Sequence, residues 1–193
     1  MRNIFPVDFD TRHTFKGTID YRYREGKDYN GPIVKGRKIL ENAGVNIIFN
    51  YTSGRPYTET IIATPEVQSG VVARSQVKGT INGANLPPQF YIDMNFDKRF
   101  TFKKEGLDGK TKLYTLRTFL SIQNVLNAAN VLSVYKFTGS AYDDGYLASP
   151  QSVEQKRVAT NSQSFIDLYN TKVVNPGFFA LPRLIRLGVS LYF

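Results

Sequence analysis

Arg186-Leu187-Gly188-Val189-Ser190-Leu191-Tyr192-Phe193, the last residues of the chain, decide how the rest is read. Leu187, Val189, Leu191 and Phe193 fall on one face at period two. Arg186, Gly188, Ser190 and Tyr192 fall on the other. Such alternation marks a strand with one side in an apolar medium. Alone it also fits an ordinary edge strand of a soluble sheet, so the decision rests on whether the upstream sequence repeats the pattern.

It does, four times. Between Arg12 and Tyr23, Phe15, Ile19, Tyr21 and Tyr23 share a face with His13 and Gly17, while Arg12, Thr14, Lys16, Thr18, Asp20 and Arg22 share the other. This exceeds the about five or six residues of a typical globular strand and matches the roughly 9 to 11 of a tilted transmembrane strand. From Gly44 to Thr52, Val45, Ile47, Phe49 and Tyr51 alternate with Asn46, Ile48, Asn50 and Thr52. After Pro87-Pro88, Phe90, Ile92, Met94, Phe96, Phe100 and Phe102 oppose Tyr91, Asp93, Asn95, Asp97, Arg99, Thr101 and Lys103, with Lys98 the one charge on the apolar side. From Leu113, Tyr114, Leu116, Leu120 and Ile122 oppose Thr115, Arg117, Phe119, Ser121 and Gln123. Leu181 to Phe193 is the fifth and closing strand.

The connections alternate in length. Residues 24–43 form a polar turn region broken by Gly26, Gly31-Pro32 and Gly36, with one helical turn expected over 35–42. Residues 59–86 form a long Thr-, Ser-, Gly- and Asn-rich connection with a short strand over 71–80. Lys104 to Lys110 is a tight reversal whose Asp108-Gly109 supplies the positive φ. Asn124 to Asn130 reads as a kink, and Val131 to Phe137 as an extension of the same strand. Residues 138–180 are the largest insertion. Ser149-Pro150 has the character of a helix N-cap and first turn, Ser162 to Asn170 that of a short helix, and Asn175-Pro176-Gly177 ends it. The expected fold class is therefore all-β: an antiparallel transmembrane β-barrel segment of about five long strands, with long outer loops and a short helix in the last. Short turns at one end and long loops at the other are the rule in such barrels. With Phe193 at the periplasmic rim, 59–86 and 138–180 lie outside, and 24–43 and 104–112 inside.

Composition bounds the alternatives. The chain has 193 residues, 41% of them hydrophobic, but no apolar run nears the roughly 18 to 20 that a membrane-spanning helix needs. Barrel strands hide their hydrophobicity by alternating. There is no cysteine, hence no disulfide, thiolate metal site or thiol nucleophile. The net charge of +9 comes from Lys and Arg spread over turns and alternate strand positions, without a zinc-finger, RRM or helix-turn-helix pattern, so nucleic acid is not the expected partner. Met1 to Pro6 has no secretory h-region. The membrane reading therefore expects the first part of the gene product to lie upstream.

With those residues in place, the chain resembles the C-terminal end of a TonB-dependent outer-membrane receptor, in the branch that carries an N-terminal carboxypeptidase-regulatory-like domain. The segments that carry the resemblance are Asp10-Thr11-Arg12-His13-Thr14-Phe15, Gly44-Val45-Asn46 through Ser53-Gly54-Arg55-Pro56-Tyr57-Thr58, and Leu86-Pro87-Pro88 with Asp93. Ile122-Gln123-Asn124-Val125-Leu126-Asn127 and Leu181-Pro182-Arg183 to Phe193 complete the set. The final strand is similar to the assembly signal of outer-membrane barrels. The resemblance implies a barrel of about 22 strands plugged by an N-terminal domain, which imports scarce ligands such as glycans, metal chelates or vitamins with energy from TonB. Residues 1–193 would be the C-terminal part of that barrel, without its plug. Five strands do not close a transmembrane barrel, for which about eight is the minimum, so this segment by itself would not transport. Implied partners are outer-membrane lipid, the barrel assembly machinery and, through the plug of the parent, the TonB complex. The implied location is the cell outer membrane.

On that reading Arg186, Gly188, Leu191 and Phe193 bear the assembly signal. Gly188 permits close backbone approach, while Leu191 and Phe193 face the insertion machinery. The candidate ligand contacts of the last outer loop are Tyr142, Asp143, Asp144, Tyr146, Phe165 and Tyr169. These rings, with Phe178 and Phe179, either stack on a ligand or pack the loop on itself, the second being the preferred reading. His13, the one histidine, sits near a strand end as a rim residue. No Gly-x-Ser-x-Gly elbow or EF-hand spacing occurs, so neither enzyme, metal site nor cofactor is expected. Two rivals remain open. One is a soluble β-sandwich or small barrel that binds a ligand. The other is a complete small porin of eight short strands, with strands inside 71–80 and 138–180.

Overall fold

A computed structural model describes residues 4–63, 76–105 and 111–193. In chain order the strands are β1 (Thr14–Arg22), β2 (Ile33–Val34), β3 (Arg37–Lys38), β4 (Ala43–Thr52), β5 (Pro56–Tyr57), β6 (Ala84–Asn85), β7 (Gln89–Glu105), β8 (Thr111–Gln123) and β9 (Leu184–Tyr192). Two short helices, α1 (Pro150–Val158) and α2 (Ser162–Val173), lie in the last long connection. The chain divides into two compact units. The sheet unit holds Phe15–Asn50, Phe90–Ala128 and Leu181–Phe193. The connection unit holds Met1–Thr14, Tyr51–Gln89 and Ala129–Ala180.

The five long strands form one antiparallel sheet in the order β1-β4-β7-β8-β9, with β1 and β9 at its edges. Its register aligns the sequence faces. Met94 lies opposite Ile122, Phe96 opposite Leu120, Phe100 opposite Leu116 and Phe102 opposite Tyr114. Ile122 in turn meets Ile185, Leu120 meets Leu187, Thr118 meets Val189 and Leu116 meets Leu191. Because the side-chain period is two, one such alignment puts the alternating apolar residues of the three strands on the same side, with Leu113, Phe119 and Leu184 left on the other. The β7–β8 hairpin runs two residues further than the alternation suggests, to Glu105 opposite Thr111. Its Asp108-Gly109 turn lies outside the described residues.

Two local expectations are corrected. Residues 35–42 form no helical turn. Lys35 and Gly36 take φ of 49° and 74°, the two positive angles of a tight hairpin turn, and this turn pairs β2 with β3. Residues 131–137 do not extend β8. Val131 makes an isolated bridge to Phe179, and the consecutive residues Val134 and Tyr135 are both buried, which a strand with one buried face does not allow. Residues 71–75 of the short strand expected over 71–80 fall outside the described residues, and 76–80 form no strand. Val77, at its described end, makes a single bridge to Thr60.

In the connection unit, β5 pairs with β6. Gly54 permits this pairing, since a Cβ there would lie 1.5 Å from the Leu86 carbonyl oxygen. Pro150 opens α1 at N1, where its missing N–H costs nothing. Ser149 occupies the N-cap position without bonding through its side chain. The buried Ser152 hydroxyl instead donates within the first turn, 2.8 Å from the carbonyls of Leu147 and Ser149. Asn161 caps α2 by accepting from the Ser164 N–H at 3.0 Å. The unit has its own core of Tyr135, Tyr146, Tyr169 and Val173, with Leu147, Phe165 and Phe178 packed against it.

Candidate functional site

The sheet unit is inverted relative to a soluble sheet. Its apolar face is the exposed one: Leu187 is 80% exposed, and Phe15, Ile19, Phe102, Ile185, Val189 and Leu191 are also exposed. Its polar face is where side chains meet one another. Arg22 donates to the Asp97 carboxylate at 2.7 Å, and the guanidinium nitrogens of Arg117 and Arg99 lie 3.7 and 3.9 Å from the other Asp97 oxygen. Those last two are ion pairs by distance but too long for hydrogen bonds, and that Asp97 oxygen and Arg117 Nε are buried without a hydrogen-bond partner. One carboxylate among three guanidiniums leaves the cluster positive. Asn46 donates to Asp20 on the same face at 3.2 Å. None of these groups was singled out by sequence. Their shared parity was visible, but their proximity depends on which strands are neighbours.

Four residues were expected to bear the assembly signal. Arg186 and Gly188 lie on the polar face, opposite Ser121 and Phe119. Gly188 receives the Phe119 ring, and a Cβ there would stand 2.3 Å from a ring atom. The Arg117 guanidinium lies 5.9 Å from the centre of that ring. Leu191 lies on the apolar face opposite Leu116. Phe193 is 97% exposed. Tyr192 pairs with Thr115, and the same register carried one residue past the end of β9 sets Phe193 in the row of Tyr114 and Phe102 on the apolar face.

The height of the apolar band follows from this register. From the Met94 row to the Phe102 row is about 27 Å along the strand at ~3.4 Å per residue, or roughly 20 Å when tilted by ~40°. Counting from Phe90 gives about 40 Å along the strand, or roughly 30 Å in height. Lys98 interrupts the band, but its ammonium reaches the Ile39 carbonyl and lies 4.9 Å from the centre of the Phe100 ring. It runs its apolar stem along the surface and places its charge at polar backbone.

Parts of three of the segments that carry the family resemblance meet where β7, β8 and β9 lose their pairing. Asn124, with φ of 51°, turns the chain. Its N–H donates to Asp93 at 2.9 Å, and its side-chain amide donates to the carbonyls of Ala128 and Leu181 at 3.0 and 3.2 Å. The Asn127 side chain accepts from the Arg183 N–H at 2.9 Å. Asp93, Ile122 to Asn127 and Leu181 to Arg183 thus form one hydrogen-bonded node. His13 lies just before β1 and is exposed, and its backbone carbonyl accepts from the Ser53 N–H at 2.8 Å.

The outer-loop candidates separate into two groups. Asp144, Tyr146 and Tyr169 are 2%, 1% and 5% exposed. The Tyr169 hydroxyl donates to Asp144, the Tyr146 N–H donates to the same carboxylate at 3.0 Å, and the two rings stack at 5.3 Å. These residues hold the loop together and offer a ligand no surface. Burial raises the Tyr169 phenol far above its usual range, and its bond to Asp144 and that carboxylate's charge act the same way. Burial and then Asp144 raise Tyr146 likewise. Phe165 packs on this core. Asp143 accepts from Gly145 N–H at 2.8 Å, and Tyr142 is exposed beside Phe179. A hollow of about 430 Å³ that sequence did not suggest is lined by Ile61, Ile62, Ala63, Phe137, Ala148 and Pro150, among others. Its walls come from both long connections, so no single stretch of sequence signals it. Among the described residues, no group of acidic or histidine side chains is arranged to hold a metal ion, and no helix is long and apolar enough to cross a membrane.

No protein-family model matches the chain, and no curated protein or solved structure matches it significantly.

Proposed function

We propose that the chain is the C-terminal part of an outer-membrane β-barrel of the TonB-dependent receptor kind, which imports a scarce ligand such as a glycan, metal chelate or vitamin. The observation that carries this reading is the exposed apolar face of the five-stranded sheet, bounded by the aromatic row Phe102, Tyr114 and Phe193. A band of roughly 20 to 30 Å brackets the ~25 Å apolar belt of outer-membrane barrels, and an aromatic girdle is how such belts end. The charged cluster at Asp97 then faces a polar interior. In water the same face would be a large contiguous apolar patch, which monomeric proteins rarely expose.

The unpaired edges of β1 and β9 are not tolerated in lipid. On this reading they are paired by further strands of a longer chain, and transport belongs to the closed barrel. Tyr142 and the apolar hollow are then the candidate ligand-facing features of the outer loops. A β-sandwich reading gains little from a face on which, among the described residues, Leu187 and its neighbours stand exposed. The eight-stranded porin gains little from a 138–180 segment whose regular elements are helices. The test is fractionation of the source cells with an antibody to residues 138–180. The expected result is a heat-modifiable band in the outer-membrane fraction, larger than 193 residues. A soluble band at the mass of 193 residues would overturn the proposal.

A further inference from the structure

On the apolar side of the β7–β8 hairpin, the row beyond Phe102 and Tyr114 is Lys104 directly opposite Lys112. Both side chains are exposed, and neither forms an ion pair among the described residues. Like charges directly opposed on one face destabilise a ladder. Glu105, next to Lys104, pairs with Thr111 and so has the other parity, and Asp108 lies outside the described residues. Lys98, on the same face, is occupied within the chain by the Ile39 carbonyl and the Phe100 ring. Lys104 and Lys112 instead stand one row beyond the aromatic residues, about 7 Å further along the strand. Where a bilayer passes from hydrocarbon to headgroups, aromatic rings are followed by phosphates, in that order and over about that distance.

We propose that Lys104 and Lys112 together bind the phosphate of an anionic phospholipid headgroup, whose acyl chains run along the apolar face past Phe102 and Tyr114. The site rests on the membrane reading above. It relieves the repulsion between the two ammonium groups and fixes the depth of the hairpin in the interface. Lys103, opposite Leu113, has the other parity and takes no part.

The test is co-flotation of the whole parent barrel, of which residues 1–193 are the C-terminal part on this reading, with vesicles of phosphatidylcholine alone and of phosphatidylcholine mixed equally with phosphatidylglycerol. The wild-type chain is expected to favour the anionic vesicles. The double substitution Lys104→Gln and Lys112→Gln should lower apparent affinity for them by about 30-fold, as for two lysines at a membrane surface, and leave binding to neutral vesicles unchanged. The control, Lys136→Gln with Lys172→Gln, removes as much charge from the connection unit and should have far less effect. Equal losses in the two double variants would overturn the site and leave the membrane reading standing. Failure of the wild-type chain to float with either vesicle would overturn both. Inorganic phosphate, compared with sodium chloride at matched ionic strength, should not displace the chain. Displacement by phosphate alone would assign the lysines to a free anion and overturn the lipid.

Discussion

The two units of this chain obey opposite rules. In the connection unit a small core turns inward: Tyr135, Tyr146, Tyr169 and Val173 are buried around one another, and exposed helix positions are mostly polar, although Val158 and Leu168 stand exposed. In the sheet unit, Ile185, Leu187, Val189 and Leu191 stand exposed, while Arg22, Arg99 and Arg117 gather around Asp97 on the opposite face. On the proposed reading, a single chain with both arrangements serves two media. On that reading the connection unit is stabilised by burial of its own core, and the sheet unit by an apolar medium against its exposed apolar face.

The largest effect that separates the two should come from Tyr146→Ala. Tyr146 is 1% exposed, stacks on Tyr169 and lies in a core of only a few residues. Truncating a buried aromatic costs about 3–5 kcal/mol, more than so small a cluster is expected to hold in reserve. Amide hydrogen exchange should show α1 and α2 losing protection while β7 to β9 keep theirs. Loss of protection in both would mean that the two units do not stand on separate cores.

Leu187→Arg tests the other half of the comparison. Leu187 lies in the row of Phe96 and Leu120, near the middle of the band. An arginine on the lipid face near the midplane costs about 2–4 kcal/mol, so insertion into vesicles should fall steeply. In water an 80% exposed site tolerates the same change to within about 0.5 kcal/mol. If the substitution is neutral for vesicle insertion, the apolar face does not meet lipid.

The contrast between the units also explains what the sequence could reveal. The five strands were legible because each separates apolar from polar residues at period two, whichever medium the apolar side meets. The line of Phe102, Tyr114 and Phe193 was not, since it depends on register, which no single strand encodes. Val131 to Phe137 read as a strand because its composition suits one. What removes it is tertiary: the Tyr135 hydroxyl donates to the Val173 carbonyl at 2.8 Å, and Val134 is buried beside it. Asp143-Asp144-Gly145 has the composition of a solvated turn, but only Asp143 is exposed. Asp144 is buried because Tyr169, 25 residues on, donates to it. Arg186, Gly188, Leu191 and Phe193 kept the faces that alternation gave them. The partner of Gly188, the Phe119 ring, became visible only with the pairing of β8 and β9.

The smallest and most local effect follows from the Tyr169–Asp144 contact. The folded state raises the Tyr169 phenol above its unfolded value of 10.0, first by burial and then through Asp144. A raised pKa favours the neutral form in the folded state. Its stabilisation is therefore complete below pH 10.0 and is lost as pH climbs through the interval up to the folded value, because the unfolded chain releases its proton first. Tyr146 is raised in the same direction and adds to the loss. Protection of α1 and α2 should thus decline above about pH 10 while the β8–β9 pairing is steady. Tyr169→Phe removes the titrating group but leaves Asp144 without its hydroxyl donor, so the variant should be weaker at neutral pH and flatter with rising pH. A variant as steep as the wild type would show that the alkaline loss comes from elsewhere in the connection unit.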